Sequence, residues 1–272
     1  MTRHRLKHQA VSLYILVSIL LLMGSRCGKE RFNLRELPPE EQLTHAMQLF
    51  NKGDFYKAKM EFTIIVLNNP GHRIIEEAQF YLAESHYNLK EYILAIEEYD
   101  KLIRSMPRSE FVDDARYKIG MSYNKLAPGY ALDQEYTYKA ITQFQLFLEE
   151  YPDSDLRPTV EEMLEACRNK LAKKEYKTGE LYRKMSLFAS AIISFDVVLE
   201  QFYDTEYADD ALYWKGECHR HMAQWDEAEQ TFNDLITKHT QSPLVSKAMN
   251  KLETVKEKKA EEASIGTGNP VK

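Results

Sequence analysis

Glu110-Phe-Val-Asp-Asp-Ala-Arg-Tyr-Lys-Ile-Gly120 and Glu206-Tyr-Ala-Asp-Asp-Ala-Leu-Tyr-Trp-Lys-Gly216 are one unit written twice, and Glu76-Glu77-Ala78 opens a third copy. Paired acids ahead of apolar residues at helical spacing describe the start of an amphipathic helix. Carboxylates in a first turn meet the unpaired N–H groups and the positive end of the helix dipole. Ser109 and Thr205 stand just before two of these units and are predicted N-caps. The acids are therefore structural, not ligands for a metal or substrate. A second signature follows each unit: Phe55-Ala58-Phe62, Tyr92-Ala95-Tyr99, a looser Tyr138-Ala140-Phe144, Phe188-Ala191-Phe195 and Trp225-Ala228-Phe232. An Ala between two rings on one helical face lets a neighbouring helix approach closely while the rings fill the groove beside it. Pro70, Pro107 and Pro152 follow three of these segments and end their helices.

Helix pairs recurring near a 34-residue period form the tetratricopeptide pattern. The expected fold is all-α: a right-handed superhelical solenoid of five tetratricopeptide-like hairpins over residues 40–257. A solenoid end needs a polar cap, and the amphipathic segment 243–256 is the predicted C-terminal capping helix. The Ala-to-Ala intervals of 37, 45, 51 and 37 show that the middle departs from a minimal repeat. Residues 127–134 lengthen the loop inside the third hairpin, and 156–185 read as one unusually long helix. Residues 258–272 are predicted to be a disordered tail.

The first 26 residues differ in kind. Arg3, His4, Arg5, Lys7 and His8 precede a charge-free apolar run over 10–23, the pattern of a signal peptide at 1–26. That run is shorter than the roughly 20 residues a spanning helix needs. Its removal leaves 32 basic against 42 acidic residues, so the exported part is distinctly acidic. An acidic chain with 44% hydrophobic and 29% charged residues has no footprint for a phosphate backbone, so no nucleic-acid partner is expected. Cys27 follows the apolar run where lipoprotein precursors carry their acylated cysteine, although Arg26 stands where Ala or Gly is usual. Residues 27–39 then form a lipidated N-terminus and tether. Cys167 and Cys218 are expected as two separate buried thiols. No phosphate-cradling loop, zinc helix or nucleophile elbow is present. His219 and His221, two apart on a helix, point to roughly opposite sides and do not make a metal site. No enzyme activity, cofactor or metal is expected.

The order of parts resembles the BamD family, tetratricopeptide lipoproteins of the outer-membrane β-barrel assembly machinery. The resemblance rests on the long loop ending in Leu132-Asp133-Gln134, then Ala140-Ile141 and Phe144, Tyr151-Pro152-Asp153-Ser154, Leu171-Ala172-Lys173-Lys174-Glu175 and Tyr182. It continues through Ala189-Ser190-Ala191-Ile192-Ile193 to Asp204-Thr205, with Tyr203 where a Pro is typical. The resemblance implies a lipid-anchored scaffold on the periplasmic face of the bacterial outer membrane. It also implies docking on a BamA-like barrel assembly subunit and help in recruiting and inserting unfolded outer-membrane clients. A generic periplasmic adaptor of the Tol-Pal type is the rival; it would typically carry an N-terminal coiled coil, and this chain shows no such heptad segment.

Counting from the small residues Ala83, Gly120, Gly179 and Gly216 places a client groove. Three positions earlier stand Phe80, Tyr117, Tyr176 and Tyr213; four later stand Tyr87, Asn124, Arg183 and Arg220, with Phe50 equivalent to Tyr87 in the first hairpin. A row of rings beside polar groups suits an extended segment ending in an aromatic residue, so Phe50, Phe80, Tyr87, Tyr117, Tyr176, Arg183, Tyr213 and Arg220 are the expected partner-binding residues.

Overall fold

The computed structural model describes residues 37–266; residues 1–36, with the expected signal peptide, Cys27 and most of the expected tether, and residues 267–272 lie outside the described residues. Eleven helices make up the described chain: α1 (Pro39–Asn51), α2 (Phe55–Asn68), α3 (Ile75–Asn88), α4 (Tyr92–Ser105), α5 (Val112–Leu126), α6 (Glu135–Glu150), α7 (Arg157–Lys184), α8 (Phe188–Gln201), α9 (Ala208–His221), α10 (Trp225–Lys238) and α11 (Val245–Gly266). Packing runs between helices consecutive in sequence, with a smaller contact from α7 to α9. This is a tetratricopeptide-like solenoid of five hairpins and a terminal helix, in which each repeat buries its apolar face against its neighbours.

The second-helix signature is the core. Ala58, Ala95, Ala140, Ala191 and Ala228 are fully buried, as are Phe62, Tyr99, Phe144, Phe195 and Phe232. Each such ring contributes about 1.5–3 kcal/mol of burial. The small residue on the facing first helix is what admits the ring. A Cβ at Gly120, Gly179 or Gly216 would stand 2.5, 2.6 or 2.7 Å from the ring of Phe144, Phe195 or Phe232.

Three local expectations change. In the third hairpin the buried register position is Thr137, while Tyr138 is 53% exposed. Ser109 and Thr205 do not cap: α5 and α9 begin three residues later. The Ser109 hydroxyl accepts from the Phe111 N–H at 3.3 Å within the preceding turn, and the Thr205 hydroxyl donates backward to the Phe202 carbonyl at 2.7 Å. Asp113, Asp114, Asp209 and Asp210 do occupy the first turns. They also tie neighbouring hairpins: the Ser154 hydroxyl donates to Asp113 at 2.8 Å, and His239 pairs with Asp209. Third, the tail expected to be disordered over 258–272 is helical through Gly266. Lys259 holds it against α10 through Asp226 at 2.5 Å and Glu229 at 2.9 Å, so one lysine of its charge run is paired across helices.

The long loop and the long helix are one adaptation. Val160 and Cys167, in the first half of α7, pack with Phe144 and Phe147 of the third hairpin, whereas Tyr176 and Gly179 serve the fourth. Val160 and Tyr176 are separated by about 24 Å along the axis at roughly 1.5 Å per residue, so the fourth hairpin is displaced along α7. The loop lies against the middle of α7. Lys174 Nζ donates to the Leu132 carbonyl at 3.0 Å, and the Lys173 ammonium sits 5.0 Å from the Tyr130 ring. Buried Gln134 fixes the loop's shape, its amide donating to the Gly129 and Leu132 carbonyls at 2.9 and 3.0 Å and accepting from Thr137 at 2.7 Å.

The turns inside the first, second, fourth and fifth hairpins share one backbone feature. Gly53, Lys90, Ser186 and Ala223 occupy the same left-handed position, with φ between 57° and 79°, and only the first is a glycine. Cys167 and Cys218 are buried free thiols, as expected. Burial raises both to about 11, so neither is a reactive thiolate near neutral pH.

Candidate partner-binding groove

Ninety-six positions separate equivalent residues of the second and third hairpins from those of the fourth and fifth, and their packing repeats accordingly. Phe80 stacks on Phe111 at 4.9 Å and meets Tyr99 at 5.8 Å; Tyr176 lies 5.4 Å from Tyr207 and 6.0 Å from Phe195. Tyr117 approaches Phe144 at 6.4 Å, and Tyr213 approaches Phe232 at 6.0 Å.

This geometry redistributes the expected groove residues. Phe80, Tyr176 and Tyr213 are only 6–8% exposed and belong to the clusters between hairpins. Phe50 is half-buried among Phe55, Phe62 and Tyr81 at 5.2, 6.4 and 5.1 Å. The position three before the small residue faces the adjoining second helix and the turn into the next hairpin, so its ring is covered. Tyr117 is half-buried along the same seam. Tyr87, Arg183 and Arg220 are half-exposed on the first helices.

Residues one step later complete that face: Tyr81, Lys118 and Trp214, each half-exposed, and the exposed Lys177, all two positions before the small residue. Counting from the small residue missed them because packing decides which of two adjacent aromatics is covered. The signal was present as the charged or large residue beside each buried ring.

The two halves of the face differ chemically. In the first, Lys118 Nζ reaches Glu84 at 2.7 Å, and Glu84 also accepts from the buried Tyr99 hydroxyl. The Lys118 ammonium lies 5.0 Å from the Tyr87 ring. Desolvation, then nearby Tyr92 and Glu84, pushes the Tyr87 phenol up to about 12. Asp114 closes this side, its carboxyl raised by burial and by Asp113, against the pull of Lys118. In the second half the Arg183 guanidinium lies 3.8 Å over Trp214, and its Nε has no hydrogen-bond partner. Arg220 makes a two-point bridge to Glu217 at 3.0 and 3.1 Å. A stacked cation, ring faces and oriented carboxylates can hold an extended peptide by stacking and by hydrogen bonds to its backbone.

His219 donates to or accepts from Gln224 at 2.8 Å, and His221 stacks on Phe188 at 4.9 Å. Among the described residues no cluster of three or more His, Cys, Asp or Glu could hold a metal, and no helix is long and apolar enough to cross a membrane.

Comparison with known proteins matches residues 35–235 to the model of the YfiO family, described as an outer membrane lipoprotein. The outer membrane protein assembly factor BamD of Rickettsia prowazekii is 24% identical over 79% of this chain and 86% of its own length. Its namesake from Vibrio cholerae is 22% identical over 83% of this chain and 96% of its own. Among solved structures, the TPR2AB-domain–pHSP90 complex of yeast Sti1 aligns with a TM-score of 0.43 at 16% identity. That alignment covers 83% of this chain and 86% of that chain.

Proposed function

The chain belongs to the YfiO outer membrane lipoprotein family, and from that membership we propose that it is a non-catalytic subunit of the machinery assembling β-barrel proteins in the outer membrane. The observation that carries this reading is the family match itself, which extends from before α1 into α10 and so takes in all five hairpins. In this reading the chain faces the periplasm, tethered by an acylated Cys27, and docks on the periplasmic domains of a BamA-like subunit. Unfolded barrel precursors lie along the open face, with Tyr81, Tyr87, Lys118, Arg183, Trp214 and Arg220 as contacts. Ring faces supply apolar area at low entropic cost, and the paired charges orient the bound backbone. The exposed Leu132 and the loop beneath it offer a partner surface apart from that groove.

The test is affinity isolation of the full-length chain from native membranes after mild crosslinking. Recovery of a barrel-forming subunit, with unfolded barrel proteins accumulating on depletion of this chain, is the expected result. Recovery of Tol-Pal components with normal barrel assembly overturns it. Cys27→Ser is expected to move the chain from the membrane to the soluble fraction; continued membrane residence with unchanged processing refutes the anchor.

A further inference from the structure

At the end of the solenoid where the described chain begins, a groove of about 520 Å³ lies open. Leu43, Ile74 and Phe111 form its apolar floor. Glu40, Glu76, Glu77 and Glu110 stand around it, and Arg73 is the one base among its lining residues. Arg73 and His72 both lean toward Glu40 at 3.8 Å. Glu76, Glu77 and Glu110 form no ion pair among the described residues, so three carboxylates share one rim uncompensated.

The chain enters beside this groove. The Gln42 side-chain amide donates to the Leu37 carbonyl at 2.8 Å, which fixes the first described residue against the turn that carries Glu40. Immediately upstream runs Gly28-Lys29-Glu30-Arg31-Phe32-Asn33-Leu34-Arg35-Glu36. Phe32 and Leu34 are two apart and fall on one side of an extended chain; Arg31 and Arg35 fall on the other. Phe32 is five residues from Leu37, a reach of about 17 Å.

We propose that residues 28–36 dock back into this groove, setting Phe32 and Leu34 on the floor of Leu43, Ile74 and Phe111 and the bases of the segment against Glu76, Glu77 and Glu110. Because the segment is covalently attached, its effective concentration is on the order of millimolar, and weak contacts hold it. The attraction is electrostatic at the rim and therefore weakens in salt. Docking turns the tether into a strut: with residues 28–36 held against the groove, a lipid at Cys27 is no longer separated from the first hairpin by a free run of up to about 40 Å, and the first hairpin is held close to the leaflet. That consequence rests on acylation at Cys27; the docking does not.

Limited trypsin cleavage of the full mature chain reads the docking directly, since Lys29, Arg31 and Arg35 are its sites. Cleavage at Arg31 is expected to rise about tenfold in the Glu76→Gln, Glu77→Gln, Glu110→Gln variant, and likewise for the parent chain in about 1 M salt. The variant's helical circular dichroism is expected to be unchanged and its thermal midpoint to fall by only a few degrees, the share that Glu76 and Glu77 contribute in the first turn of α3, which separates release of the segment from unfolding. Carbodiimide treatment is expected to join Lys29 to one of those glutamates within a monomer. Equal cleavage of parent and variant overturns the proposal. So do Lys29 links found only in a dimer, which assign the groove to a second copy. Links from Glu76 or Glu110 to an added barrel-precursor peptide, with none to Lys29, give it to a client. Failure of the Cys27→Ser test leaves each of these outcomes intact.

Discussion

Replacing Phe80 by Ala tests whether the row of rings on the first helices belongs to the packing between hairpins. Phe80 is 8% exposed, stacks on Phe111 at 4.9 Å, and meets Tyr81 edge-on at 5.5 Å and Tyr99 at 5.8 Å. Truncating a buried Phe costs about 3–5 kcal/mol from lost transfer and the cavity left behind. Tyr99 is fixed through its hydroxyl to Glu84, and Phe111 sits in the turn entering α5, so collapse around the cavity is limited. A loss of about 4 kcal/mol in urea unfolding is expected. A solenoid is held by nearest-neighbour interfaces. Hydrogen exchange should therefore accelerate in α3 through α5 while α9 to α11 keep their protection. A loss below about 1 kcal/mol, together with weakened peptide binding per folded molecule, would refute the reasoning and return Phe80 to the groove.

Three further outcomes follow from single features. Ala223 sits at φ 57° where the first hairpin uses Gly53, so Ala223→Gly is expected to stabilise by about 0.5–1 kcal/mol in urea titration; a loss would show that strain at this turn is negligible. Gln134→Ala removes the buried amide that fixes the long loop and is expected to cost about 1–3 kcal/mol, whereas Leu132→Ser, at an exposed site, should leave stability alone and weaken capture of the barrel subunit; unchanged capture confines the loop to a structural role. Burial raises the phenols of Tyr99, Tyr176 and Tyr87 above their ordinary value of 10, Tyr87 to about 12. A group raised in the folded state lends stability that is complete below the unfolded value and is lost as pH rises through the folded one. The thermal midpoint should fall as pH climbs from about 10 toward 12, and a flat profile over that window contradicts it.

The sequence by itself determined the repeat. The spacing of Ala58, Ala95, Ala140, Ala191 and Ala228, each with a ring four residues on, is a local pattern, and a helix converts it into a buried stripe whatever lies beyond. The departures at 127–134 and 156–185 were equally visible as breaks in period. What only tertiary structure decided was coverage. Phe80 and Tyr81 are neighbours in sequence with similar chemistry. One is sealed by Phe111 of the next hairpin and the other stays half-open, because that depends on residues thirty positions away. The same holds for Lys259, whose charge run reads as unfolded until Asp226 and Glu229 are brought beside it. The two irregular segments also became a single feature only in three dimensions: lengthening α7 opens a step in the stack, and the loop that Gln134 shapes lies against the helix at that step.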